Sequence, residues 1–486
     1  MCSASKVHSE TMEEVFVGII LLIDFGSTYT KIRAVDLERE EIIGSSQAPS
    51  TADTDMMVGL QAAYGRLLLQ AGISDMDVDK KLACSSAAGG LRIVAIGLVP
   101  ELTTKAAIQA AFGAGGKIVA SYSYSLSLKE AKELMQKSPD LVLLAGGTDG
   151  GNTEVILHNA RIIAESNLAC PIVIAGNKVV AEEVEQIIKA SSKYVVVADN
   201  IMPEVNQLKI EPTQQAIRKV FMDRIVKGKG LNKAEDFVGD IIMPTPMAVL
   251  NAASLLAGGT QQEEGWNDLV VIDVGGATTD VDSVAKGSST SAGTIQKGLP
   301  DPYAMRTVEG DLGIRYSASY ILEMVGIEQL LKYISMVVEE LPCKMEEEIK
   351  SRINYRSEHI EFVGQNMEES LVDFALSCAA VELATKRHAG TIENFHTPSG
   401  TIYLQRGKDL TGVRTVIGTG GIFCYGNYSR LILDRSRHDK NYPLSLRPNN
   451  PEFFLDESYI LYAAGLLAQI APQKAFKIMK KYLKKI

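Results

Sequence analysis

Between Lys117 and Asn200 the chain alternates short, continuously apolar runs with longer amphipathic ones. KIVASY, LVLLAGG, PIVIAGN and KYVVVADN read as strands, and SLKEAKELMQK, GNTEVILHNARIIAES and AEEVEQIIKAS as the helices between them. A strand apolar at nearly every residue has no face left for water. The pattern therefore predicts a parallel sheet covered on both faces, a doubly wound α/β unit.

Elsewhere the pattern differs. Near the start, LLIDFGSTYTKIRAVD runs an apolar strand into an Asp-x-Gly turn and leaves as an alternating strand, which predicts a hairpin; the stretch DTDMMVGLQAAYGRLLLQAG after it reads as a helix. MPTPMAVLNAASLLAGGT predicts a helix with Thr245 as N-cap, Pro246 in the first turn and Gly258–Gly259 past its end. The polar string QQEEGWND follows, and we place the main boundary there, near Gln261. Beyond it come a second acidic hairpin, long helices from about Arg315 to Val337 and Glu368 to His388, the glycine loop VIGTGGIF, and the helix ESYILYAAGLLAQI. The expected organisation is a disordered segment 1–14, a first unit 15–260 carrying an inserted α/β segment at about 115–245, and a second unit 261–486.

The two hairpins match. LIDFGSTYTK laid on VIDVGGATTD pairs Asp24 with Asp273, Gly26 with Gly275 and Thr30 with Thr279, one copy in each half of the chain. A glycine in a tight turn lets backbone N–H groups approach a phosphate. Ser27, Thr28, Thr278 and Thr279 can add hydroxyl donors, and Gly276 and Ala277 complete the second turn. Asp24 and Asp273 would repel a bare phosphate, so their chemistry makes sense as holders of the water shell of Mg²⁺. One such hairpin is as readily an acidic turn; two matched copies point to a nucleotide site. Position 31 breaks the match, with Lys31 in the first copy and Asp280 in the second. The first copy would then neutralise phosphate, and the second would handle water or metal.

Composition narrows the function. A net charge of -10 disfavours sequence-independent nucleic-acid binding. The six cysteines, Cys2, Cys84, Cys170, Cys343, Cys378 and Cys424, form no CxxC pair and suit reduced thiols in a cytoplasmic protein. The longest early apolar run, VFVGIILLI, is too short to span a membrane. The basic tail KAFKIMKKYLKKI reads as an amphipathic helix, solvated on its own or anchoring a membrane or partner.

The order hairpin, hairpin, glycine loop resembles the actin, sugar kinase and Hsp70 superfamily of ATPases. That resemblance implies a two-lobed fold with a duplicated ribonuclease H-like core closing on ATP and Mg²⁺. It places phosphate motifs at Asp24–Lys31 and Asp273–Asp280, with Asp24, Asp273 and Asp280 in catalytic positions and Asp24 and Asp273 at the metal. It also places an adenosine motif on Gly418, Gly420 and Gly421. DESYILYAAGLL resembles the superfamily's connecting helix, and reads equally as a core helix.

A narrower resemblance covers roughly residues 20–470. LACSSAAGGLRIVAIGLVPELT, LLAGGTDGGN, MPTPMAVLNAA, VIDVGGATTDVDS and RTVEGDLGIRYS are similar, in order, to the accessory ATPase of adenosylcobalamin-dependent glutamate (methylaspartate) mutase, the GlmL or MutL type. It implies an ATP-dependent partner that reactivates or assembles a cobalamin mutase. A small-molecule kinase, with Asp149 the candidate base, and an actin-like structural ATPase are the alternatives on the same fold.

Four further motifs stand apart. GGTDGGN is either a ligand or docking loop or a flexible βα turn; CSSAAGG offers hydroxyls or packs as a small-residue turn. VEGDLGIR brings Glu309, Asp311 and Arg315 together, as an internal ion pair or cap more readily than as a catalytic set. His158, on an apolar stripe, reads as a satisfied core histidine.

Overall fold

The computed structural model describes residues 18–26, 29–50, 56–86, 91–222, 237–239, 241–289, 293–341, 344–397 and 400–486. The expected disordered segment 1–14, Ser27, Thr28, the end of CSSAAGG (87–90), Cys2 and Cys343 lie outside these residues.

Strands β1 (Ile19–Phe25), β2 (Tyr29–Asp36) and β3 (Glu41–Pro49) form an antiparallel meander, and β4 (Val78–Ser85) lies parallel to β1. The chain then builds a separate parallel sheet from β5 (Leu91–Gly97), β6 (Gly116–Ser123), β7 (Leu141–Leu144), β8 (Ile172–Ile174) and β9 (Val195–Val197), in the order β6-β5-β7-β8-β9. It returns as β10 (Ile241–Pro244), parallel to β4, to complete the first sheet as β10-β4-β1-β2-β3. The parallel sheet thus takes in β5, upstream of the start expected from the alternation, because the helix Lys105–Gly113 links β5 to β6 as a crossover.

The second half repeats the first. β11 (Leu269–Val274), β12 (Thr279–Val284) and, after the short β13 (Thr294–Gln296), β14 (Ala304–Glu309) form a meander. β15 (Thr391–Thr397) and β16 (Gly400–Arg406) join β13 in a small sheet of their own. β17 (Thr415–Thr419) and β18 (Glu452–Leu455) then add in parallel beside β11, and β19 (Lys484–Lys485) closes the edge antiparallel to β18. Numbered along its own path, each of the two sheets begins 3-2-1-4-5. This is the duplicated ribonuclease H-like core of the two-lobed actin/Hsp70-like ATPase fold.

Side-chain alternation along β1 and β11 explains how the sheets are joined. Leu21, Ile23 and Phe25 pack with the helix Met56–Ala71, whereas Ile20 and Leu22 enter a core shared with Leu269 and Val271 of β11. Two helices fill that shared core, Thr245–Gly258 and Ile460–Leu467. They cross so tightly that a Cβ on Gly465 would stand 1.8 Å from the carbonyl oxygen of Ala248. The small residues of the connecting helix are there to allow this approach.

Three local expectations change. Thr245 opens its helix but does not cap it, because its hydroxyl is taken by a buried aspartate. The basic tail is not a solvated helix: Pro472–Tyr482 buries Ala475, Phe476, Ile478 and Met479 in the shared core. Its lysines are spoken for, Lys474 and Lys477 by Glu40, Lys480 by Glu263 and Lys481 by Glu41. The long helix near Arg315 runs Ala318–Ile334 and is broken at Gly326 (φ 78°), and a further helix, Met345–Glu358, precedes Met367–His388. Among the described residues no helix is long and apolar enough to cross a membrane.

Candidate functional site

The matched hairpins open onto one cleft of about 590 Å³. In the first, Gly26 N–H donates to the Tyr29 carbonyl at 3.1 Å; in the second, Gly275 N–H donates to the Thr278 carbonyl at 2.9 Å. A Cβ on Gly26 would lie 2.5 Å from the Tyr29 oxygen, so the turn needs glycine.

Opposite each turn glycine's aspartate stands the residue that breaks the sequence match. Asp24 pairs in register with Lys31, and Asp273 with Asp280. Asp24 is 3% exposed and well supplied with partners: Thr245 Oγ1 donates at 2.6 Å, the Cys84 thiol lies at 3.6 Å and Lys31 Nζ at 3.7 Å. Lys31 also sits over the ring of Tyr459, 4.1 Å from its centroid. The first hairpin is electrically settled.

The second is not. Desolvation of the Asp273 carboxyl, then repulsion from Asp280, push its pKa up to about 7; Lys31 opposes this, and Asp456 and Asp24 add to it. Asp280 takes Arg306 Nη2 at 3.0 Å. Asp282, two residues on and 2% exposed, has its pKa raised well above the usual range, chiefly by burial. Asp456 is fully buried, and burial raises its pKa although Ile460 N–H, Leu461 N–H and Thr419 Oγ1 all donate to it, at 2.7, 3.1 and 3.2 Å.

Of the expected site residues, Asp24, Gly26 and Lys31, then Asp273, Gly275, Gly276, Ala277, Thr278 and Asp280, then Gly420 and Gly421, line the cleft. Ser27 and Thr28 lie outside the described residues. Three residues fall elsewhere. Thr30 and Thr279 are fully buried, Thr279 donating to the Leu312 carbonyl at 2.7 Å. Alternation along β2 and β12 sends Tyr29, Lys31, Thr278 and Asp280 to the cleft and the matched threonines to the core. Gly418 also faces the core, where a Cβ would meet Phe423 and Leu433 at 3.1 Å. Gly420 (φ 107°) is a packing requirement too, since a Cβ there would stand 2.4 Å from the Val274 oxygen and 2.8 Å from Asp273 Oδ1.

The cleft also takes in Thr245, Asp282, Arg306 and Asp456, none of which the sequence assigns to a site. Asp282 was visible as the period-two neighbour of Asp280 in TTDVDS. The VEGDLGIR set divides: Glu309 and Asp311 both pair with Arg387, while Arg315 forks Asp373 at 2.9 and 3.0 Å. GGTDGGN is a locked loop, not a flexible turn. Fully buried Asn177 accepts from Gly150 N–H at 3.1 Å and donates to the Gly151 and Asn152 carbonyls. Asp149 is held by Asn200 at 2.9 Å and Lys178 at 3.2 Å, and does not line the cleft. His158 Nε2 is satisfied by the Leu126 carbonyl at 3.0 Å.

A family model described as MutL protein matches residues 20–483. This chain belongs to the MutL family. It is the glutamate-mutase type, not the mismatch-repair protein that shares the word. The MutL chain is 47% identical over 466 residues to Protein MutL of Clostridium tetanomorphum, covering 96% of this chain and 99% of that one. Solved structures resembling this MutL chain include nucleotide-free acetone carboxylase (14% identity, TM-score 0.41, covering 93% of this chain and 70% of that one). Component A of the (R)-2-hydroxyglutaryl-CoA dehydratase of Acidaminococcus fermentans is another (11% identity, TM-score 0.32, covering 96% and 98%).

Proposed function

We propose that this MutL-family chain is an ATP-dependent accessory factor for an adenosylcobalamin-dependent mutase, glutamate mutase. ATP binding and hydrolysis close two lobes, residues 15–260 with their inserted sheet and 261–486, and that movement drives release or exchange of damaged cobalamin in the cytoplasm. The observation carrying this is the delivery of Asp24–Gly26 and Asp273–Gly275 to one cleft by two sheets of the same strand order.

The backbone of the second turn, Gly276–Thr278, holds phosphate oxygens, while the Gly26 and Gly275 amides close their own hairpins. Lys31 neutralises phosphate charge, and Gly420 and Gly421 pass the nucleoside close to backbone. In-line attack by water forms one P–O bond at the γ-phosphorus and breaks the bond to the β-bridging oxygen, giving ADP, phosphate and a proton.

The donor set suits Mg²⁺. Asp273 is crowded by Asp280, Asp456 and Asp24, an excess of hard oxygen charge that a cation relieves. Among the described residues no three or more His, Cys, Asp or Glu converge to hold a metal alone. Magnesium commonly keeps its waters and takes one or two carboxylates plus phosphate oxygens. Asp24 and Asp273 would hold it, and it would supply neutralisation of the phosphate charge.

The kinase alternative loses its base, because Asp149 is committed outside the cleft. The decisive experiment gives an inactivated glutamate mutase ATP, Mg²⁺ and fresh adenosylcobalamin, with and without this protein. Activity should return only with the protein and a hydrolysable nucleotide; equal recovery in its absence removes the proposal.

A further inference from the structure

The helix Lys105–Gly113 enters β6 of the inserted sheet through the turn Ala114–Gly115, and this junction is held from two sides. On one side Gly115 (φ 84°) comes so close to Pro244 that a Cβ on it would lie 2.7 Å from the proline Cβ. Pro244 directly precedes Thr245, whose hydroxyl holds Asp24. On the other side stands Arg306 of β14, 4% exposed. Its Nη2 donates to Asp280 Oδ2 at 3.0 Å, and its Nη1 donates to the Gly116 carbonyl at 3.1 Å and the Phe112 carbonyl at 3.4 Å. A carbonyl oxygen has two lone pairs, so the Phe112 oxygen, which already takes Gly115 N–H at 2.9 Å, can accept the guanidinium as well, close to the helix C-terminus where a cation is favoured. Lys105 and Gln109 seat the start of the same helix on Asp301, at 2.9 and 2.7 Å.

One turn of the inserted sheet is therefore wedged between the supports of both carboxylate hairpins. The wedge is not saturated. Asp280 Oδ1, Asp282 Oδ1 and Arg306 Nε are buried with no hydrogen-bond partner among the described residues. Leaving such atoms unpaired is unfavourable, so an alternative arrangement that pairs them is within reach.

We infer that Arg306 is a positioning residue that passes the occupancy of the nucleotide cleft to the helix-to-strand junction Phe112–Gly116, and through it to the inserted parallel sheet. The coupling presupposes that the cleft takes ATP, as proposed above. Charge arriving between Asp24 and Asp273 changes the field on Asp280, which faces Asp273 directly. Asp280 and the Phe112 and Gly116 carbonyls share one guanidinium, so a change at the carboxylate is felt at the junction. The inserted sheet then differs between nucleotide states, which is what an ATP-driven partner switch needs.

The test is amide hydrogen exchange on the full chain with Mg²⁺ and saturating AMPPNP, a non-hydrolysable ATP analogue, against the nucleotide-free protein. The analogue should slow exchange across Lys105–Ser123 by at least about 5-fold in the parental protein. Arg306→Lys keeps a cation beside Asp280 but loses the fork, and should lose that protection at saturating analogue. Asp280→Asn, which leaves the carbonyl contacts of Arg306 in place, should lose it as well and serves if the arginine variant fails to fold. Binding of the analogue with exchange over Lys105–Ser123 unchanged overturns the coupling alone, as does full protection in either variant. Failure of the parental protein to bind the analogue overturns the nucleotide reading and the coupling with it.

Discussion

Asp280 faces Asp273 across the second hairpin at the position where Lys31 faces Asp24 across the first. A duplicated turn has thus been given opposite electrical settings: one aspartate is matched with a lysine, and the other is pressed against its own kind. Arg306 supplies the compensating charge to Asp280 from β14.

Replacing Asp273 by Asn removes a crowded carboxylate without changing its shape. ATP turnover should fall by about 100-fold or more, the scale of losing one positioned charge at a reacting centre. The thermal midpoint should not drop, because repulsion with Asp280 is relieved. A variant hydrolysing ATP at the parental rate would take Asp273 out of the chemistry.

The same carboxyl predicts a pH dependence. Its folded pKa is raised from 3.8 to about 7, so the folded protein holds this proton more tightly than the unfolded chain does. The stability contributed is fully present below 3.8 and is lost as pH rises through 7, with each pKa unit worth about 1.4 kcal/mol. Denaturant melts of the nucleotide-free parental protein and Asp273→Asn should therefore diverge as pH rises across that window, the variant gaining relative to the parent. Parallel curves would show that the group titrates normally.

Gly465→Ala should destabilise by about 1 to 3 kcal/mol, the usual penalty for overpacking, because its methyl group would run into the Ala248 carbonyl. Urea unfolding reads the change, and an unaltered midpoint would mean that the two central helices can slide apart freely.

The docked terminal helix separates charge from packing. Glu40→Gln leaves Lys474 and Lys477 without their partner, yet should lose no more than about 1 kcal/mol, since water still reaches both pairs. Phe476→Ala empties a fully buried position and should lose about 3 to 5 kcal/mol. The reverse ranking in urea melts would make the lysines, not the apolar face, the anchor.

Much of this was legible in the chain because duplication writes a motif twice. The Asp-x-Gly turns found each other, and the glycines at Gly26 and Gly275 did what the turn requires. Matching letters also misled: Thr30 and Thr279 align as well as the aspartates do, but strand alternation turns them to the core. Gly418 reads as an opening for a ligand, whereas a close-packed strand needs it small. Met345, Ile349 and Ile353 carry the four-residue spacing of a buried helical stripe that the surrounding acidic residues obscured. Arg306 and Thr245 could not be placed from the chain alone, because their partners Asp280 and Asp24 lie on other elements and meet them only in the folded protein.

Cys84 sits beneath the first hairpin, fully buried, with its thiol against Asp24 and the Ile23 carbonyl. Burial and the neighbouring carboxylate push its pKa well above that of an ordinary thiol, so it resists alkylation as long as this packing holds. A maleimide can reach it only when β1, β4 and Thr245 part. The rate at which this one sulfur is labelled is therefore a clock for the parting of the first sheet beneath its hairpin, already built into the protein and needing no introduced probe.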